Sequence, residues 1–446
     1  MNVLFIAPSL FSIGELHNAI YLARQLEEQD IRTHFLTSPN HIEYVQQAGM
    51  SATSLRKATM QTAPIQALVE EFQPDVIVIA DYHNLDLESP LIDLDYVIQL
   101  GIPCATIDSL SWAPNSRVLR NRLFDGTINR RPNANVKGEV HLRQVPEQMK
   151  IIRTCPINSP QDVDDRIKAV TLYKEPFHID EDVKQQMRQR FGCEHEADKL
   201  VMVSKAAWAS LLVKMRMLES KLHMQASYSY EYFIQELIGQ YLGTRLLPSK
   251  VVVVGIASEK GFLERDPHSK LSFVSLPFMN LNEYEDLLFS CDLFITDNIT
   301  SCSMAKALFG YVPALSLINT KVVSSPERDV PSLPQVSSEP IKEILERWNR
   351  VLPQGLYPFL TFPNGWTEEL APLLEENPFF DAIDIAEMFC VDQTGEKIWN
   401  MLYDKQTKQR IRDKQERYIE KIIHLPGAME MLCFITKQKV ETSWGR

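Results

Sequence analysis

Short, nearly unbroken apolar runs alternate with longer stretches of helical period along the first 110 residues. Residues 3–7 (VLFIA) form one such run, followed by Pro8 and Gly14. Leu16, Ala19, Ile20, Ala23 and Leu26 then recur at the spacing of an amphipathic helix, which predicts a helix over 16–29. Residues 31–36 repeat the strand signal, and 41–47 and 64–72 the helical one. DVIVI at 75–79 has almost no polar alternation, the pattern of a parallel strand buried on both faces. Residues 90–100 read as helix and 103–107 as strand, so the rhythm predicts a doubly wound domain.

Residues 111–148, rich in Asn, Arg and Pro, break that rhythm and predict a long loop, either a functional lid or a disordered excursion. Strands at 150–154 and 169–173 close the first domain, and 180–191 is a polar linker helix. A second unit follows. Its expected strands are 200–204, 251–254, 271–276, 293–296 and 314–318. Its expected helices are 206–222, 228–242, 283–288 and 303–309. Residues 320–340 are Pro- and Ser-rich, a surface loop, and the last hundred residues are mainly helical. The charged helix at 405–423 is either solvated or an arm packing two domains together. The expected fold is α/β, with two Rossmann-like doubly wound domains at 1–178 and 179–378 facing a cleft. A helical extension, 379–446, packs across them.

Composition narrows the class. A chain of 446 residues is too long for one ordinary core, and 45% hydrophobic with 23% charged residues is globular. Seven cysteines without a C-x-x-C pair argue for reduced thiols. A net charge of -12 argues against non-specific nucleic-acid binding, which rests on neutralising phosphates. No apolar run is long enough to span a bilayer, and MNVLFIAPSLFSIGE reads as a buried strand rather than a signal peptide. A cytoplasmic location is expected.

The candidate chemistry clusters at strand ends. TDNITSCSMAKALFGYVP, residues 296–313, is a strand–loop–helix ligand cradle. Asp297 and Asn298 stand at the carboxyl end of a buried strand, where open α/β sheets bind ligands. Thr300, Ser301 and Ser303 add hydroxyls near a helix start that suits a diphosphate, and Lys306 follows one turn on. A plain helix cap by Thr300 or Ser301 is the simpler alternative. Lys205 and Gly255 end two further strands of the same domain. In the first domain, Glu15 and His17 lie in the first turn of a helix, and either could serve as a general base. The spacing lacks G-x-G-x-x-G, which leaves a Rossmann dinucleotide site unsupported. Asp81 and His83 in ADYHNLD, with Asp108 past another strand, are acceptor-binding candidates. No further ligand with defined spacing accompanies them, so no metal is expected.

The chain resembles the GT-B glycosyltransferase superfamily. Gly14-Glu15-Leu16-His17-Asn18 followed by AIYLARQLEEQ is similar to its first loop and helix. The stretch LPFMNLNEYEDLLFSCDLFITDNITSCSMAKALFGYVPAL looks like its donor site. Matching Ala307, Leu308 and Pro313 to that pattern places Ser303 on the family serine, Lys306 on the family glutamate and Asn298 on the family histidine. Pro277 and Phe278 fall near the loop that holds the base. Lys306 departs from the acid that grips the ribose diol, and no D-Q pair follows residues 315–317. The resemblance implies a glycosyltransferase using a UDP- or GDP-sugar, with no cofactor or metal, and a small-molecule, peptide or lipid acceptor. A homodimer is left open. A nucleotide-sugar epimerase or hydrolase, and a non-catalytic binding protein, are the rival readings.

Overall fold

β1 (Asn2–Ala7), β4 (Val76–Ala80) and β5 (Cys104–Asp108) are buried along almost their whole length, as their unbroken apolar runs predict. They form the centre of a seven-stranded sheet with β2 (Arg32–Thr37), β3 (Ala52–Ser54), β10 (Lys150–Cys155) and β11 (Ile167–Thr171). The order is β11-β10-β5-β4-β1-β2-β3, and every pairing is parallel. The structure is a computed structural model that describes residues 1–10, 13–56, 58, 60–87, 91–113, 117–120, 122–123, 127–128, 139–161, 164–206, 230–243, 245–256, 270–277, 279–319, 339–351, 370 and 373–437.

A second, six-stranded sheet is also wholly parallel. It contains β12 (Lys199–Ser204), β13 (Val251–Gly255), β14 (Leu271–Ser275), β15 (Leu293–Thr296), β16 (Ala314–Ile318) and β17 (Asp384–Glu387), in the order β14-β13-β12-β15-β16-β17. These are two Rossmann-like domains with C-terminal helices. In each sheet the chain leaves a central strand in one direction and later resumes on its other side. The switch points lie between β1 and β4 and between β12 and β15, and ligands bind outside the carboxyl ends of strands there.

The structure departs from the sequence pattern in particular places. β3, three residues long, and β17 fall outside the expected strands because neither carries a long apolar run. β17 pairs with β16, so the second sheet takes in residues beyond 378 that the sequence reading assigns to the helical extension. Within 111–148, read as a loop, β6 (Arg117–Arg120) pairs antiparallel with β9 (Glu139–Leu142), and β7 (Arg122–Leu123) with β8 (Thr127–Ile128). The expected helix at 206–222 and loop at 320–340 lie almost wholly outside the described residues.

The two domains share core. One apolar cluster runs from Val3 and Ile20 through Phe294 and Leu308 to Ile422 and Met431. Helix Lys405–Ile423 touches both domains: Gln415 Nε2 donates to the Val312 carbonyl at 2.9 Å, and the Tyr418 hydroxyl donates to the Pro156 carbonyl. Helix Ala428–Thr436 then returns to the first sheet, where the Thr171 N–H donates to the Pro426 carbonyl at 2.8 Å. Among the described residues, no helix is long and apolar enough to cross a membrane.

Packing of helix Val391–Tyr403 on helix Tyr230–Gly243 depends on Gly395, where a Cβ would stand 2.6 Å from the Tyr241 carbonyl oxygen. Gly395→Ala is expected to cost about 1–3 kcal/mol in urea unfolding, the usual cost of overpacking. Gly243→Ala, whose Cβ meets nothing within 4 Å, is the matched control and is expected to be neutral or slightly stabilising.

Candidate functional site

The crevice of the first domain is lined with acids. Ala80 pairs with Ile107, and Asp108 with Arg153, so the ends of β4, β5 and β10 bring Asp81, Asp108 and Arg153 together. Asp81 adopts a left-handed backbone with φ 48°, a conformation rare outside glycine and enriched at functional sites. Its carboxylate accepts from the Ser109 N–H and the Ser109 hydroxyl, both at 2.8 Å. Asp108 accepts from the N–H groups of Trp112 at 2.9 Å and Ala113 at 3.1 Å, with Arg153 Nε 3.6 Å from its Oδ2. His83, in the 3-10 turn Tyr82–Leu87, places Nε2 3.6 Å from Asp108 Oδ1 and 4.0 Å from Asp81 Oδ1. All three side chains are buried.

Glu15 opens helix Gly14–Glu27, whose start has no side-chain cap. Burial raises the Asp81 pKa well above the usual carboxylate range, and the charge of Glu15 raises it further. Glu15 also acts on Cys302, whose thiol burial pushes up to about 12. Glu15 thus acts electrostatically on its own domain's Asp81 and on the first residue of helix Cys302–Phe309 in the other domain. The two helix starts touch: Cys302 Sγ lies 3.7 Å from the Gly14 carbonyl oxygen and 3.7 Å from Asn18 Oδ1. Gly14 has no left-handed backbone to relieve, and its Cβ would meet Cys302 Sγ at 3.6 Å, an ordinary contact.

His17 lies inside the protein. It is buried, and its Nδ1 is paired with the Tyr44 hydroxyl at 2.8 Å. Burial, then the charges of Lys306 and Arg24, hold its pKa well below the ordinary value, so the ring is neutral.

In the second domain the cradle residues satisfy one another. Ser301 caps the helix by accepting from the Ser303 N–H at 3.2 Å, and Asn298 Oδ1 accepts from the Thr300 N–H at 3.0 Å. The Tyr284 hydroxyl donates to Ser303 Oγ at 2.7 Å. Asp297 accepts from the Ala206 N–H at 2.7 Å and from the Tyr230 hydroxyl. Burial lifts its pKa to about 7 against those bonds and nearby Lys205. Lys205 donates to the Ile256 carbonyl at 3.1 Å and lines a pocket with Gly255, Gln235 and Phe273. Pro277 is exposed, and Phe278 lies outside the described residues.

Lys306 sits deeper than a phosphate ligand needs to be. It is 1% exposed, and its ammonium bonds Glu285 at 2.5 Å. The same Glu285 oxygen accepts from the Tyr21 hydroxyl of the first domain at 2.5 Å, and Lys306 Nζ lies 4.9 Å from the Tyr21 ring centre. Burial lowers the Lys306 pKa to about 8 although Glu285 opposes it. Sequence reasoning missed Glu285, Tyr21 and Cys302, which meet at the seam between the two domains, and Arg153 beside Asp108. Glu285 and Cys302 stand inside the donor-like stretch, but their partners lie in the other domain or on a neighbouring helix.

A family model described as "Family of unknown function (DUF6365)" matches residues 22–445. No curated protein matches the chain. Among solved structures the chain is similar to the glycosyltransferase VinC in complex with DTDP, at 12% identity and TM-score 0.49, over 98% of this chain and 99% of that one. It is similar to MurG of Acinetobacter baumannii at 12% identity and TM-score 0.45, over 98% and 99%. It is similar as well to the glycosyltransferase SnogD from Streptomyces nogalater at 12% identity and TM-score 0.44, over 98% and 99%.

Removing one member of a buried ion pair strands the other, so Glu285→Ala is expected to cost about 3–5 kcal/mol in chemical unfolding. Glu285→Ala with Lys306→Met is expected to recover much of that loss. The pH dependence has a definite sign. The folded state gives up the Lys306 proton near pH 8, while the unfolded chain holds it to its ordinary value near 10.5. Between those values the unfolded state binds more protons, so stability rises with pH. The stability of the wild type relative to Lys306→Met is therefore expected to increase from pH 8 to 10, measured by unfolding at fixed ionic strength.

Proposed function

The chain belongs to the DUF6365 family, a family of unknown function, and we propose that this member transfers a sugar from a nucleotide-activated donor to a small-molecule, peptide or lipid acceptor. One observation carries the reading: the start of helix Gly14–Glu27, which bears the acid Glu15 after the first domain's switch strand, touches the start of the helix that follows the second domain's switch strand, with Cys302 Sγ 3.7 Å from the Gly14 carbonyl oxygen. An acceptor and an anionic donor could thus meet at one seam.

In this reading Glu15 is the general base that takes the acceptor proton. Burial and the charge of Glu15 both raise the pKa of Asp81 at the neighbouring strand end. Lys205 and the backbone at the two helix starts face the diphosphate and stabilise its departure without a metal. Lys306 contributes indirectly, by holding Glu285 and Tyr21 at the seam. His17 packs beneath the base rather than replacing it. The donor is expected to be a UDP- or GDP-sugar, and the chain is expected to act in the cytoplasm.

A thermal-shift panel of nucleotide sugars tests this. A ligand at one hundred times its Kd should stabilise the chain by about 2.7 kcal/mol. Lys205→Ala should abolish the shift. Glu15→Gln should keep the shift yet slow turnover by about 10²–10⁴-fold, the range of general-base catalysis. Absence of a shift with every nucleotide sugar would contradict the proposal. Donor consumption at the same rate without acceptor would favour hydrolysis or epimerisation.

A further inference from the structure

We propose that Asp81, His83 and Asp108 form a divalent-cation site of the zinc class on the acceptor side of the seam. The three side chains are 1%, 1% and 0% exposed, and their ligand-capable atoms all lie within 4.8 Å of one another. Two adjacent strand ends and the turn after β4 bring them there, which explains why their spacing along the chain shows no metal pattern.

The separations separate two chemistries. His83 Nε2 is 3.6 Å from Asp108 Oδ1 and 4.0 Å from Asp81 Oδ1, both beyond the ~2.9 Å typical of an N–H···O bond. Ligand atoms about 2.1 Å from a tetrahedral zinc stand about 3.4 Å apart, so the two His83 separations are within a few tenths of an ångström of that spacing. The carboxylates are already aimed by outer bonds, Asp81 by Ser109 and Asp108 by the Trp112 and Ala113 N–H groups. Outer contacts of this kind orient metal ligands. Charge points the same way: the two carboxylates, Asp81 and Asp108, share one guanidinium, that of Arg153, 3.6 Å from Asp108. A dication offsets that excess of negative charge.

Two carboxylates and one imidazole leave a fourth position for water or an acceptor hydroxyl, the arrangement of a catalytic rather than a structural ion. The site stands apart from the diphosphate, and its test does not use glycosyl transfer.

The full chain, dialysed against EDTA and then against buffer, is titrated with Zn²⁺ by calorimetry, and its bound metal is counted by mass spectrometry after desalting. One equivalent per chain is expected, with at least tenfold weaker binding in His83→Ala and in Asp81→Asn, which keeps the Ser109 bonds. A wild-type chain that retains no Zn²⁺ overturns the proposal, because it needs no variant to fold. Equal binding by the wild type and both variants overturns it as well, and assigns the metal to another place.

Discussion

A single carboxylate, Glu285, holds the arrangement of the two domains. It accepts from Lys306 in its own domain and from Tyr21 in the other, in a place from which water is largely excluded. A lysine ammonium cannot be buried without such a partner, and a buried carboxylate needs its donors. Each group therefore fixes the other two. The aromatic groups around them, Tyr173, Phe177, Phe289 and Phe309, stack edge and face across the same interface and leave little freedom for sliding. Helix Lys405–Ile423 and helix Ala428–Thr436 add a second tie on the far side.

The catalytic proposal follows from that constraint. With Tyr21 and Lys306 locked, the helices that carry them meet at their starts, Gly14 against Cys302. Two features of open α/β sheets then coincide: a crevice beyond the strand ends, and a helix start on either side of it. The first domain adds carboxylates and a histidine, and the second adds Lys205 and backbone donors. In the proposed reading, the acids on one side serve the acceptor and the cation on the other meets the anionic donor.

The sheets were legible in the sequence because their strands are parallel and buried on both faces. VLFIA, DVIVI and VVVV carry that signal in themselves, and β15 and β16 match the expected spans. Short or partly exposed elements carry no such signal, and β3, the turn at Tyr82–Leu87 and β17 are of this kind. The site was legible as a set of strand-end residues and illegible as a geometry. Asp81 and Asp108 meet only through the pairing of β4 with β5, and no local rule gives that register. Lys306 reads from the sequence as part of the diphosphate cradle, because its partner, Glu285, lies on a different helix. His17 occupies a first helical turn as expected, yet its surroundings, Tyr21 and Tyr44, make it a buried neutral ring.

The central claim is that the two crevices work as one ligand site. Hydrogen–deuterium exchange of the full chain, with and without a saturating nucleotide sugar, addresses it most directly. Slowed exchange is expected together at residues 13–18 of the first domain and at 203–206 and 296–305 of the second. Protection confined to one domain, or none at either helix start, would contradict it.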